Sequence, residues 1–240
     1  MLVVSASPTE LPLVMLDPGH GGAQRGARGV CGCHEKDVVL AVGQALRSLL
    51  NASGRVRAKL TRDSDLEISL SDRAGLANTQ QAALFVSIHA NASKNARAHG
   101  IETFFLSRRT ASARLRELVR RENGPPLPRQ VAGGTLSAIL QRLSLSANHH
   151  ESQRLAVRLQ KTMGQRLSYH GRGVLQAPFV VLKEAHMPAA LVELGFLTNP
   201  GECRLLASTE HQRAVAQALA AAILTHMAQE ALGAAGDAPS

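Results

Sequence analysis

Apolar residues in this chain recur in two rhythms that take turns, short unbroken runs and helical spacings. PLVMLD (12–17) is a short run that stops at Pro18-Gly19, which predicts a buried strand. A glycine-rich loop follows to residue 34. From Glu35 the spacing turns helical, with Val38 or Val39, Val42, Leu46 and Leu49 on one face and an end near Gly54. RVRAKLTR (55–62) alternates as a strand does. SLSDRAGLANTQ (69–80) opens with capping-type residues and predicts a helix. ALFVSIHA (83–90) and GIETFFLS (100–107) are apolar, β-rich runs, hence strands. Strands and helices in alternation predict an α/β fold, a single domain with a mainly parallel central sheet flanked by helices.

Residues 108–170 break that rhythm and form a helical insertion. Helical patterns cover 110–122, 134–145 and 148–168, the first two separated by the turn-forming GPPLPRQVAGG. After them, 173–182 and 189–196 are predicted as strands and 200–231 as one or two helices. The end of the chain, 232–240, lacks apolar periodicity and is expected to be a disordered tail. No internal repeat is visible.

Composition narrows the picture. The chain has 240 residues, 45% of them hydrophobic, with five Phe, one Tyr and no Trp, so Ala, Leu and Val must build the core. No apolar run is long enough to span a bilayer. The N-terminal residues lack the basic and apolar regions of a signal peptide, so any export signal is expected to lie outside this chain. The net charge of +9 suits a polyanionic environment. Nucleic acid is not expected as a partner, because no binding module is present and stacking aromatics are nearly absent. Six arginines (Arg108, Arg109, Arg114, Arg116, Arg120 and Arg121) cluster in the insertion, where a solvated helix face is expected.

Three cysteines, Cys31, Cys33 and Cys203, imply no disulfide framework and leave at least one thiol free in a monomer. A thiolate metal site built on Cys31, Cys33 and His34 is disfavoured. One residue between cysteines is tighter than the usual zinc spacing, and no second pair exists.

The polar residues at strand ends carry the chemistry. The first strand runs into Asp17-Pro18-Gly19-His20, the 83–90 strand ends in Ser87-Ile88-His89, and 189–196 contains Glu193. Side chains at the carboxyl ends of parallel strands converge on one crevice. Glu35 begins a helix beside the loop that leaves His20, and a carboxylate there also suits the helix N-terminus. His20, Glu35 and His89 make a two-histidine, one-glutamate set, a recurrent choice for catalytic zinc that leaves a position for water. Glu193 would be the free carboxylate that moves a proton from that water to a leaving amine. Asp17 either steadies a ligand histidine or ends a strand. Arg73 lies on a polar helix face or reaches substrate carboxylates. His34 is expected to flank the site, and His149 and His150 to face solvent at a helix start.

LDPGHGG, the acidic residue of HEKDVVLAV, LTRDSD, SLSDRAGLAN, LFVSIHANA, GIETFFL and PFVVLKEAHMPAALVELGFLTNPGE resemble, in order, segments of the zinc-dependent N-acetylmuramoyl-L-alanine amidases. The resemblance spans roughly residues 11–228, within a catalytic domain expected at 11–231. It implies one zinc ion on His20, Glu35 and His89, Glu193 as catalytic base, and hydrolysis of the amide between N-acetylmuramic acid and L-alanine in peptidoglycan. It places the protein in the periplasm or cell envelope.

The 108–170 block resembles the insertion of cell-division amidases. There a helix plugs the site and a glutamate on it contacts the zinc until an activator protein displaces it. Glu122 continues the stripe of Leu115, Leu118 and Val119, so it is expected as that regulatory metal contact. A frayed helix end is the competing reading. Leu136, Ile139, Leu140 and Leu143 mark a second amphipathic helix whose partner is open. A monomer is expected. The remaining alternatives are a zinc peptidase cutting within stem peptides and a non-catalytic wall-binding module.

Overall fold

The computed structural model describes residues 10–107, 112–124, 135–167 and 170–236, and side chains throughout these except 135–147 and 233–236. Six strands form one sheet in the order β2-β1-β3-β6-β4-β5. These are β1 (Leu13–Pro18), β2 (Arg57–Leu60), β3 (Leu84–Asn91), β4 (Ile101–Leu106), β5 (Gly171–Ala177) and β6 (Ala189–Phe196). All neighbours run parallel except β4 and β6, which are antiparallel.

Buried strands alternate their side chains between two cores. Val14, Leu16, Val86, Ile88 and Val192 face helices α1 (Glu35–Ala52), α4 (Thr135–Leu167), α6 (Pro200–Ala207) and α7 (Thr209–Gly236). Leu13, Met15, Phe85, Phe104 and Leu191 face α2 (Leu70–Thr79), α3 (Ala113–Asn123) and α5 (Val180–Lys183). The fold is therefore a helix-sheet-helix sandwich.

Local chemistry sets the boundaries. Ser69 caps α2 by accepting from the Asp72 N–H, and Asn199 caps α6 by accepting from Gly201 and Glu202 N–H groups. On α1 the buried face is Val38, Val39, Val42, Leu46 and Leu50, while Leu49 is exposed, one residue off the expected stripe. The strand expected over 173–182 stops at Ala177, because Pro178 has no N–H to continue the ladder. The two helices expected at 134–145 and 148–168 are one continuous α4, since nothing between them breaks a helix; residues 134 and 168 lie outside the described residues. His149 and His150 therefore sit within a helix, not at its start. The His149 ring is half-buried, 5.1 Å from that of Phe105, and only His150 is exposed.

Helix α7 runs through Gly236, into the stretch expected to be a tail. Its alanines favour helix without needing an apolar stripe. Residues 237–240, positions 110–111 and the side chains of Leu136, Ile139, Leu140 and Leu143 lie outside what is described.

The cysteine expectation is corrected. Cys31 and Cys203 form a disulfide that joins the loop before α1 to α6, with Cα atoms 5.9 Å apart. A separation of 172 residues hides that proximity from the sequence. Cys33 is the free thiol.

Candidate active site and metal centre

At the carboxyl ends of β1 and β3, donor atoms of His20, Glu35, His89 and Glu122 all lie within 4.8 Å of one another. His20 Nε2 is 3.1 Å from Glu35 Oε2 and 3.2 Å from Glu122 Oε2. His89 Nδ1 is 3.0 Å from Glu35 Oε1 and 3.1 Å from Glu122 Oε2. Despite these distances, His20 Nε2 and Glu122 Oε2 have no properly directed hydrogen bond. Buried polar atoms ordinarily find partners. Four nitrogen and oxygen donors aimed at one point, two of them orphaned, fit a small cation of zinc type.

The chain holds each donor by separate means. Glu35 is fully buried at the start of α1, and its oxygens accept from the Ala27 N–H at 2.7 Å and the Ala90 N–H at 2.9 Å. Gly26 makes room for it, because a Cβ there would stand 2.5 Å from Glu35 Oε2 and 2.6 Å from His20 Cδ2. His20 takes a left-handed backbone, φ 59°, unusual for a residue with a side chain. Two arginines fix that turn. Arg73 donates to the Pro18 carbonyl at 2.8 Å and the His20 carbonyl at 2.6 Å. Arg62 donates to the Pro18 carbonyl at 2.9 Å and the Gly19 carbonyl at 2.7 Å.

Arg73 is thus neither on a polar face nor free for substrate. It is 1% exposed and pairs with Asp17 at 2.9 Å. A long charged side chain on a short helix looked solvated because nothing in α2 itself announces its acceptors, which come from the β1 loop. Asp17 also accepts from Thr61 and Ser87, and no histidine is among its partners. Burial works to raise the Asp17 carboxyl, but the Arg73 charge and these hydrogen bonds hold it below its ordinary value.

The same balance governs the donors. Burial opposes charge on His20, yet Glu35 and Glu122 push it up to about 9. His89 also lies well above the imidazole range, where Glu122 and Glu35 outweigh burial. Burial would raise Glu35, but His20 draws it down to about 2. Glu122 is likewise held low against its burial, mainly by His89. Glu193 behaves oppositely. It is fully buried on β6 in register with His89 on β3, and both its oxygens lack a partner. Burial, then the charge of Glu122, pushes it well above the carboxylate range.

Helix α3 brings Glu122 to the cluster. Leu115 and Leu118 bury in the core with Phe104 and Phe179, and Glu122 is buried with them. Two arginines expected on a solvated face are engaged instead. Arg121 donates to Glu122 at 2.8 Å, the Ala92 carbonyl at 3.0 Å and Asn91 Oδ1 at 3.1 Å. Arg114 pairs with the buried Glu102 at 2.8 Å. Arg116 and Arg120 are exposed as expected, while Arg108 and Arg109 lie outside the described residues. His34 flanks the cluster at the N-cap of α1 without joining it. Arg62 was not singled out as a site residue; its signal is its place within LTRDSD, just after β2 and beside the first loop.

An α/β sheet with two histidines at its strand ends, and a glutamate from each of two helices beside them, places the chain in the class of α/β proteins with a metal-type donor centre. The comparisons sharpen this. Residues 14–225 match the family model described as N-acetylmuramoyl-L-alanine amidase, and the chain belongs to that family. It is 40% identical over 222 residues to the amidase AmiA of Salmonella typhimurium, covering 89% of this chain and 75% of that one. Among solved structures, an N-acetylmuramoyl-L-alanine amidase from Clostridium difficile superposes with a TM-score of 0.72 at 29% identity, covering 92% of this chain and 98% of that one. The amidase AmiC2 of Nostoc punctiforme gives 0.69 at 32% identity, with 90% and 97% covered. The enzyme is an N-acetylmuramoyl-L-alanine amidase acting on peptidoglycan.

Proposed function

We propose that the chain is a zinc-dependent, autoinhibited peptidoglycan amidase of cell separation, working in the periplasm or cell envelope. His20, Glu35 and His89 would hold the metal, and Glu122 would be its fourth contact at rest. The observation that carries this reading is the convergence of those four donors within 4.8 Å, with His20 Nε2 and Glu122 Oε2 left orphaned.

Zinc held there would supply Lewis acidity toward the scissile carbonyl and the attacking water. The rest falls to the chain. Glu193, buried and without a hydrogen-bond partner, takes the proton of the attacking water and hands it to the nitrogen of L-alanine as it leaves N-acetylmuramic acid. Arg62 and Arg73 hold the His20 turn, so the donor set is in place before substrate arrives. Glu122 occupies the side of the cluster that substrate must reach, and α3 must withdraw for turnover. An activating protein that binds the insertion would supply that displacement. No described helix is long and apolar enough to cross a membrane.

Elemental analysis of purified protein tests the metal set. About one zinc per chain is expected, lost in His20→Ala and in Glu35→Ala. Stoichiometric zinc in both variants overturns the assignment. Mass spectrometry of digested peptidoglycan tests the bond: stem peptides beginning at L-alanine support it, and cuts inside the peptide identify a peptidase instead.

A further inference from the structure

Three sulfur atoms meet where the loop before α1 touches α6. Cys31 is exposed, Cys203 is buried, and a disulfide joins them. The free thiol of Cys33 lies 3.5 Å from Cys31 Sγ and 3.7 Å from Cys203 Sγ. Neither disulfide sulfur carries a hydrogen, so Cys33 is the donor in both contacts.

The loop is shaped around this cluster. A Cβ on Gly29 would stand 2.6 Å from Cys203 Sγ and 2.7 Å from Cys33 Sγ, so a side chain there would displace the sulfurs. The Gly29 N–H donates to the Cys33 carbonyl at 2.8 Å, closing the loop on itself. The Val30 N–H donates to the Leu197 carbonyl at 3.0 Å, and the Cys31 N–H to Cys203 Sγ at 3.2 Å. Cys33 is thereby kept against the disulfide.

A thiolate attacks a disulfide sulfur in line with the bond that breaks, so Cys33, which lies beside that bond and nearly equidistant from its two sulfurs, reaches Cys203 Sγ in line once its side chain turns. We propose that Cys31, Cys33 and Cys203 form an intramolecular thiol–disulfide exchange site, in which Cys33 and Cys31 alternate as the partner of Cys203. Cys33 gives up its proton to solvent and its sulfur bonds to Cys203 Sγ. The Cys31–Cys203 bond breaks, and the departing Cys31 sulfur takes up a proton. One sulfur–sulfur bond forms as one breaks, so no outside oxidant or reductant is consumed. Either pairing keeps the loop that precedes Glu35 tied to α6. Exchange moves the free thiol from half-buried Cys33 to exposed Cys31, where a small disulfide or a thiol oxidoreductase can reach it.

The test uses the full chain purified without reductant, equilibrated, alkylated with iodoacetamide and acid-quenched. Peptide fragmentation then separates label on Cys31 from label on Cys33. Wild type is expected to carry label on both, with Cys203 protected. Cys33→Ser and Cys33→Ala are expected to carry none on Cys31, and Cys31→Ser to form a Cys33–Cys203 disulfide. Label confined to Cys33 in wild type overturns the proposal. So does equal labelling of Cys31 without Cys33, or two free thiols in Cys31→Ser.

Discussion

Arg121 Nη2 lies 3.1 Å from Asn91 Oδ1, which fastens the helix bearing Glu122 to the strand bearing His89. The same guanidinium donates to the Ala92 carbonyl and to Glu122. Arg121 is a latch: it holds Glu122 directly and, through Asn91 and Ala92, fixes where α3 sits. Arg121→Ala removes all three bonds, and a net loss of about 1.4 kcal/mol in the docking of α3 is a factor of ten. If α3 occludes the centre as proposed, basal release of soluble fragments from peptidoglycan rises about tenfold, with zinc content unchanged. Basal activity equal to wild type, in protein that keeps its metal, sinks the latch.

Glu122 itself gives a sharper result. On the proposed reading, Glu122→Ala leaves His20, Glu35 and His89 to hold the metal and opens the fourth side. Hydrolysis of purified peptidoglycan without any activator should rise by more than tenfold. Glu122→Asp, one methylene short of the 3.1–3.2 Å contacts, should fall between. Unchanged or abolished activity, with zinc and fold intact, counts against the plug.

The Asp17–Arg73 pair predicts a pH dependence of stability. Arg73 and the neighbouring hydrogen bonds lower the folded carboxyl below its ordinary 3.8. A depressed folded value means the contribution is complete above that ordinary value and is lost as pH falls through the folded one. The urea midpoint should therefore decline below about pH 4, and Asp17→Asn should remove that part of the decline. Arg73→Met leaves a buried carboxylate without its cation and should cost about 3–5 kcal/mol at neutral pH. A midpoint within error of wild type would show that the pair is dispensable.

The chain disclosed its donors more readily than their supports, and the reason is physical. His20, His89 and Glu193 sit on or just after strands whose apolar runs mark them out, and Glu35 opens a helix with a clear stripe. Their convergence follows from parallel topology. Glu122 could be placed by counting along one helix from Leu115 and Leu118. Arg62, Arg73 and Arg121 act through backbone carbonyls and an asparagine on distant segments, and a carbonyl leaves no trace in residue type. The Cys31–Cys203 disulfide was hidden for a related reason, since it depends on α6 packing beneath a loop far away in sequence. The continuity of α4 and the reach of α7 leave no apolar stripe to read, because stretches rich in alanine and polar residues extend a helix without one.

His226 offers a test away from the active site. It is 1% exposed on α7, and its Nδ1 has no hydrogen-bond partner. Burial first, then the charge of Arg158, lowers its pKa from 6.5 to about 4, with Arg154 acting in the same sense and Glu151 against it. Glu230 completes the charged groups gathered there. The unfolded chain takes up a proton on this ring below pH 6.5, whereas the folded chain does so only near 4. Stability must therefore fall as pH drops through that window. His226→Gln removes the titration and should flatten this part of the curve of unfolding midpoint against pH. NMR titration of the His226 ring would read the folded value directly, and a midpoint near 6.5 would show that burial does not hold the ring neutral.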